Sequence, residues 1–209
     1  MNRVDIEALR EIVKGFVTGK RYIHTLGVEE EACALGKIFL PNKLQSLSIA
    51  ALLHDITKSL SLEKQLALCE EYGIAVDKTN VCEKLLHSKT GCEFAKRHIG
   101  AEIVDEEIYN GIFYHTTGRE RMTLFEAIIY LADYIEKNRT FEDCVILRKY
   151  FYDNLEKCNT MEEKTELLRV TMIKSYDMTI KNLIDEGKQI DFGTIQARNY
   201  FINNEKCFF

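Results

Sequence analysis

Apolar residues along this chain recur mostly at the helical period. Leu9, Ile12, Val13 and Phe16 stand at i, i+3, i+4 and i+7, and Val28, Ala32, Leu35 and Phe39 repeat the pattern, so two amphipathic helices are expected near the start. The run from Leu44 to Ile56 is more apolar all round, as a central buried helix would be. Further helices are predicted over 62–72, 79–87, 88–98, 104–115, 123–137, 143–157, 162–186 and 194–203. In the last third, Leu167, Val170, Ile173 and Met178 are the candidate inward residues. Asn80, Ser88, Asp105 and Thr123 offer side-chain oxygens for N-caps, and Gly73 and Gly100 suit helix ends. The stretch GIAVDKTN, residues 73–80, reads as a short extended piece, and residues 189–193 as a break before the last helix. The expected fold class is all-α.

Composition narrows this picture. One proline and eleven glycines in 209 residues favour long helices with short connections. With 46% hydrophobic residues the chain can bury one substantial core, and one domain over 1–209 is expected. A net charge of −5 argues against a broad nucleic-acid-binding surface while leaving room for a local phosphate site. Seven cysteines, Cys33, Cys69, Cys82, Cys92, Cys144, Cys158 and Cys207, are scattered singly with no C-x-x-C, which reads as reduced thiols in the cytoplasm. The N-terminal MNRVDIEALREIVKGF carries charges inside its apolar stretch, unlike a signal peptide or anchor. Every apolar run is shorter than the roughly 18 residues a membrane span needs. A soluble, cytoplasmic protein with neither nucleic acid nor membrane as partner is expected.

The chemistry lies in the histidines. There are five. His54-Asp55 closes the apolar run SIAALLHDITK, while His24, His87 and His115 stand on or at the ends of helix-patterned segments, and Asp133 sits inside IIYLADYIE. Four imidazoles and two carboxylates would furnish nitrogen and oxygen ligands for two metal ions, without thiolate. Consecutive residues on a helix diverge by about 100°, so His54 and Asp55 can serve one ion only near a helix end. There the second oxygen of Asp55 could reach another ion. Carboxylate-bridged ions lie roughly 3.5–4 Å apart and can hold a hydroxide that attacks phosphorus without a protein nucleophile.

The order His24, His54-Asp55, His87, His115 and Asp133 resembles the H…HD…H…H…D signature of the HD-domain phosphohydrolases, an all-helical, metal-dependent superfamily. The strings RYIHTLGV, AALLHDITK, LLHSKTG, YHTTGR and YLADYIEKNR are similar to its YqeK-like group of symmetrical bis(5′-nucleosyl)-tetraphosphatases. The resemblance covers residues 18–150, with a C-terminal packing or lid element over 154–209. It implies an HD-domain helical bundle with additional C-terminal helices. It also implies one metal on His24, His54, Asp55 and Asp133, and a second on His87 and His115 that shares Asp55. Iron is the metal the resemblance favours, although imidazole and carboxylate serve manganese, cobalt and zinc as well. The implied substrate is diadenosine tetraphosphate, cut at its centre to two ADP by a metal-bridging hydroxide.

Neighbouring residues fit that chemistry. Lys58, four residues after His54, and Arg119, after the turn Thr116-Thr117-Gly118, are the expected phosphate contacts that offset charge in the transition state. Thr117 and Gly118 offer a hydroxyl and backbone for the same task, and Arg139 could reach outer phosphates. Arg21 and Glu136 are expected to orient the ligands, since a ligating histidine needs a partner for its other nitrogen. Bland readings stand beside these. A lone histidine at a helix end often only complements the helix dipole, and His98 before Gly100 is assigned that role. Lys58 and Arg119 could be ordinary solvated charges, and Tyr114, Tyr130 and Tyr134 core or pocket lining. The rivals in function are an HD-type phosphohydrolase for nucleoside monophosphates, cyclic dinucleotides or guanosine alarmones, a noncatalytic nucleotide sensor, and a purely structural helical protein. Whether the chain acts as a homodimer stays open.

Overall fold

The computed structural model describes residues 4–76 and 83–208. Ten α-helices lie among the described residues, with no strand: α1 Ile6–Lys14, α2 Gly19–Phe39, α3 Leu44–Leu53, α4 Leu62–Tyr72, α5 Glu83–His98, α6 Glu106–Tyr114, α7 Leu124–Ile135, α8 Glu142–Leu155, α9 Met161–Asp185 and α10 Phe192–Asn203. The all-α expectation holds.

The all-round apolar run becomes the axis of the core. Every residue from Ser46 to Leu53 of α3 is buried, and α7 is buried from Phe125 to Ala132 and again at Ile135. A helix without a polar face must be covered on all sides, and α1, α2, α5, α6 and α7 all pack against α3. Gly36 of α2 allows the closest approach there, because a Cβ would stand 2.4 Å from Leu47 Cδ1. The amphipathic stripe of α2 is buried at Val28, Ala32, Leu35 and Phe39. At the other end α9 packs on α7 and α10 on α9, with Tyr176 of α9 buried against Tyr130 and Phe201.

Local signals account for most helix ends. Asp105 caps α6 through Ile108 N, and Thr123 and Glu126 form a reciprocal capping box on α7, which satisfies amides that would otherwise lack partners. Gly73 ends α4 in the left-handed region at φ +68°. Asn80 and residues 77–79 of the 73–80 segment fall outside the described residues.

Some expectations need correction. Ser88 does not cap a helix; it lies inside α5, where 88–98 joins the preceding segment as one helix. Its hydroxyl donates back to the Leu85 carbonyl and that of Thr90 to the Leu86 carbonyl, so these polar side chains are absorbed by the helix instead of starting a new one. The helix carrying His54 stops at Leu53, short of Ile56. In α1 and the turn after it the buried line is Leu9, Val13 and then Val17, leaving Ile12 and Phe16 about half exposed. On α9 the fully covered face is Leu168, Met172, Ser175 and Tyr176, while Val170, Ile173 and Met178 are half-buried.

Candidate metal centre

Five helices deliver the cluster. His24 comes from α2, His54 and Asp55 from the end of α3 and the turn after it, His87 from α5, His115 from the C-cap of α6, and Asp133 from α7. The turn following α3 is closed by Lys58 N donating to the Asp55 carbonyl at 2.9 Å. It is fastened to α5 by the Thr57 hydroxyl, which donates to the His87 carbonyl at 3.0 Å. Gly91 of the same helix passes this turn, where a Cβ would be 3.4 Å from Thr57 Oγ1 and 3.6 Å from the His54 carbonyl oxygen.

Asp55 divides the histidines into two pairs. Its Oδ2 faces His54 Nε2 at 3.5 Å and His24 Nε2 at 3.8 Å, while its Oδ1 faces His87 Nε2 at 3.1 Å and His115 Nε2 at 3.7 Å. Asp133 Oδ1 stands 2.9 Å from His24 Nε2 and 3.6 Å from His54 Nε2. Two trios, His24–His54–Asp133 and His54–Asp55–His115, present atoms close enough together to hold a metal ion. His87 completes the second side, its Nε2 3.0 Å from that of His115.

The outer nitrogens are already committed. Nδ1 of His54 donates to the Ala51 carbonyl and Nδ1 of His115 to the Ile112 carbonyl, both at 2.6 Å, and Nδ1 of His24 donates to Glu136 at 3.1 Å. With the proton held on Nδ1, each Nε2 has its lone pair turned toward the cluster. Nε2 of His24 and of His54 are buried without a hydrogen-bond partner. Orphaned buried nitrogens facing carboxylates are costly as protein interactions alone, and they are donors that a borderline divalent metal accepts.

Charge inside the centre is strongly coupled. Burial lowers the basicity of His54, but Asp55 and Asp133 outweigh it and raise its pKa to about 10, adding to Nε2 a proton that a bound metal ion would displace. Burial dominates at His87, pushed down to about 4, and at His115, which is also lowered. Burial would raise Asp55, yet the facing His54, His115 and His87 hold it well below the carboxylate range. Burial opposes ionisation of Asp133 as well, and the Arg139 guanidinium overcomes it.

The structure sorts the surrounding residues. Arg21 donates to Asp55 Oδ2 at 2.7 Å, and Lys58 Nζ lies 3.0 and 3.2 Å from the His87 ring nitrogens. Burial makes Lys58 easier to deprotonate than usual. Arg139 reaches the centre through Asp133, to which it donates from both its Nε and a terminal nitrogen. Arg119 is not brought to the cluster. It donates to both carboxylate oxygens of Glu126 at 2.9 and 2.8 Å, lies over the Tyr114 ring, and lines a separate cavity together with Thr117 and Gly118. The Gly118 backbone is not open, because a Cβ there would meet Tyr176 Oη at 2.0 Å. The hydroxyl at the cluster belongs to Thr116, 3.1 Å from His115 Nε2 and 3.3 Å from His87 Nε2. Sequence reasoning passed over Thr116, although its place directly after His115 was a usable signal. His98 is exposed in the last turn of α5 and stacks on Phe94. Tyr130 is core, and Tyr134 lines a cavity at the centre.

An all-helical bundle whose helix ends gather His, His-Asp, His, His and Asp around one buried carboxylate defines a class, the metal-dependent hydrolases of the HD type. The chain belongs to the HD domain family, which matches residues 21–138. It is 33% identical to a symmetrical bis(5′-nucleosyl)-tetraphosphatase of Halalkalibacterium halodurans, covering 94% of this chain and 96% of the relative. A Staphylococcus aureus protein of the same name is 31% identical, with 95% of each chain covered. Among solved structures, a Clostridium acetobutylicum protein described as a predicted HD superfamily hydrolase involved in NAD metabolism superposes with a TM-score of 0.82. It is 34% identical over 97% of this chain and 99% of its own.

Proposed function

We propose that this protein is a symmetrical bis(5′-nucleosyl)-tetraphosphatase that hydrolyses diadenosine tetraphosphate to two ADP. The observation that carries the reading is the position of Asp55, with each carboxylate oxygen facing a different pair of histidines. The names of full-length relatives at 31–33% identity point to the same reaction.

On this reading His24, His54, Asp55 and Asp133 would hold one ion, and His87, His115 and Asp55 the other, with iron the favoured metal. Two ions held there would supply Lewis acidity for the attacking water and the leaving phosphate oxygen. The chain's own groups do the rest. Ala51, Ile112 and Glu136 hold the imidazole protons on the outer nitrogens. Lys58, which lines the cavity at His115 and Asp133, carries the positive charge to meet phosphate oxygens. Water adds to an inner phosphorus, the central P–O–P bridge breaks, and each half leaves as a nucleoside diphosphate.

A cytoplasmic setting fits the unpaired state of Cys33, Cys69, Cys92, Cys144, Cys158 and Cys207. Among the described residues no helix is long and apolar enough to cross a membrane. The decisive experiment is metal analysis joined to product identification on anaerobically purified protein. ADP as the only nucleotide product, with stoichiometric metal, is expected. A mixture of ATP and AMP, or full activity without metal, would overturn the assignment.

A further inference from the structure

Two cavities open beside the metal centre, one at His24 and the other at His115 and Asp133. The first, about 280 Å³, is lined by Arg21, Ile23, His24, Glu136, Arg139 and Phe141. The second, about 560 Å³, includes Lys58, His115, Asp133, Tyr134, Arg139 and Phe141. Arg139 and Phe141 belong to both and so form the wall between them. Arg139 is occupied with Asp133. Phe141 has no such employment.

Nothing in the fold asks for phenylalanine at 141. The residue is the N-cap of α8, with extended backbone and no side-chain capping bond, a place where Ser, Thr, Asp or Asn would stabilise the helix. Its ring is 70% exposed, and Ile23, on the same cavity, is 55% exposed. Two large apolar side chains in water beside a polar metal cluster forgo the stabilisation that burial would bring. A flat apolar ligand surface would supply it. Positive charge stands next to them, since Lys20 and Arg21 line the same cavity.

Resting on the hydrolase reading above, we propose that the cavity lined by Ile23 and Phe141 receives one nucleobase of the substrate. The Phe141 ring stacks on the base, and the diphosphate runs past Arg21 toward the cluster. A substrate cut at its middle needs a nucleoside on either side of the reacting phosphorus, and two cavities that share one wall at the centre meet that need. Phe141 is thereby a positioning and specificity residue, separate from the bond-breaking groups.

The test measures binding of two product-like probes, ADP and inorganic pyrophosphate, to the metal-loaded protein and to its Phe141→Ala and Phe141→Trp variants. Aromatic stacking on a base carries enough affinity that the Phe141→Ala change should weaken ADP about tenfold. Pyrophosphate should stay within about twofold, and Phe141→Trp should restore ADP binding, because both share the phosphate contacts and only ADP has a base. ADP affinity unchanged in Phe141→Ala, or ADP and pyrophosphate weakened in parallel, overturns the proposal. The two readings fail separately. Lack of diadenosine tetraphosphate hydrolysis with the ADP pattern intact removes the activity and keeps the base cleft, whereas hydrolysis with ADP unaffected removes only the cleft.

Discussion

Nδ1 of His24 donates to a carboxylate oxygen of Glu136 3.1 Å away, across 112 positions of sequence. The contact settles which nitrogen of His24 faces the cluster. Gly27, one turn further along α2, makes room for it, since a Cβ there would come within 2.2 Å of the other Glu136 oxygen. That oxygen accepts from the Asn138 amide at 2.6 Å, so the carboxylate has little freedom to step aside.

Glu136→Gln is therefore expected to weaken metal binding by about 10- to 100-fold, the usual effect of losing a partner that orients a ligating histidine. Gly27→Ala should act in the same direction by displacing the Glu136 side chain. Competition with a chelator of known affinity reads both. Unchanged metal affinity in Glu136→Gln would show that His24 needs no such partner.

Asp55→Ala should abolish hydrolysis and metal loading together, because it removes the group that faces all four histidines. Helical content by circular dichroism should persist, as the change falls after the end of α3. Full activity in this variant would sink the two-metal mechanism.

Lys58 and Arg119 are expected to part company. Lys58→Ala should lower kcat about a hundredfold, the size seen when a group that stabilises transition-state charge is lost. Arg119→Ala should leave kcat/KM within about twofold and destabilise the fold by about 1–2 kcal/mol, since it removes two charge-assisted hydrogen bonds from a buried Glu126 while Arg119 itself is partly solvated. Steady-state kinetics beside urea denaturation separate the two. A large kcat loss in Arg119→Ala with unchanged stability would restore it to the active site.

Cys92 should make stability fall at alkaline pH. The thiol is fully buried, its Sγ donates to the Lys89 carbonyl at 3.1 Å, and burial pushes its pKa up to about 12. An unfolded thiol ionises near pH 8.5. Because the folded value is the higher one, the contribution is complete below about pH 8.5 and is lost as pH rises toward about 12, at up to about 1.4 kcal/mol per pH unit. Denaturation series at pH 8, 9 and 10 should show this slope, and Cys92→Ala should flatten it. Equal slopes in both proteins would contradict it.

The helices were legible where one periodicity ran unbroken. The segment 62–72 coincides with α4, and the Thr123 capping box and the Gly73 stop act where the local chemistry placed them. Ser88 misled because Ser-Lys-Thr-Gly looks like the end of one helix and the start of another. In the fold those hydroxyls bond back to helix carbonyls, and Gly91 is explained by the turn it passes. Arg119 misled for a different reason. Nearness to His115 in sequence suggested a shared site, but the carboxylate of Glu126, seven residues on and already part of a helix cap, captures the guanidinium.

Sequence alone determined the all-helical class and the inventory of four histidines and two aspartates in a set order, because periodicity and residue type are local properties of the chain. Tertiary structure alone decided which atoms face one another. It set the two oxygens of Asp55 toward different histidine pairs, turned Arg139 onto Asp133, and left Phe141 exposed between two cavities. Those outcomes depend on how five helix ends converge, and the angles and offsets between packed helices are fixed by the whole core, not by any one segment.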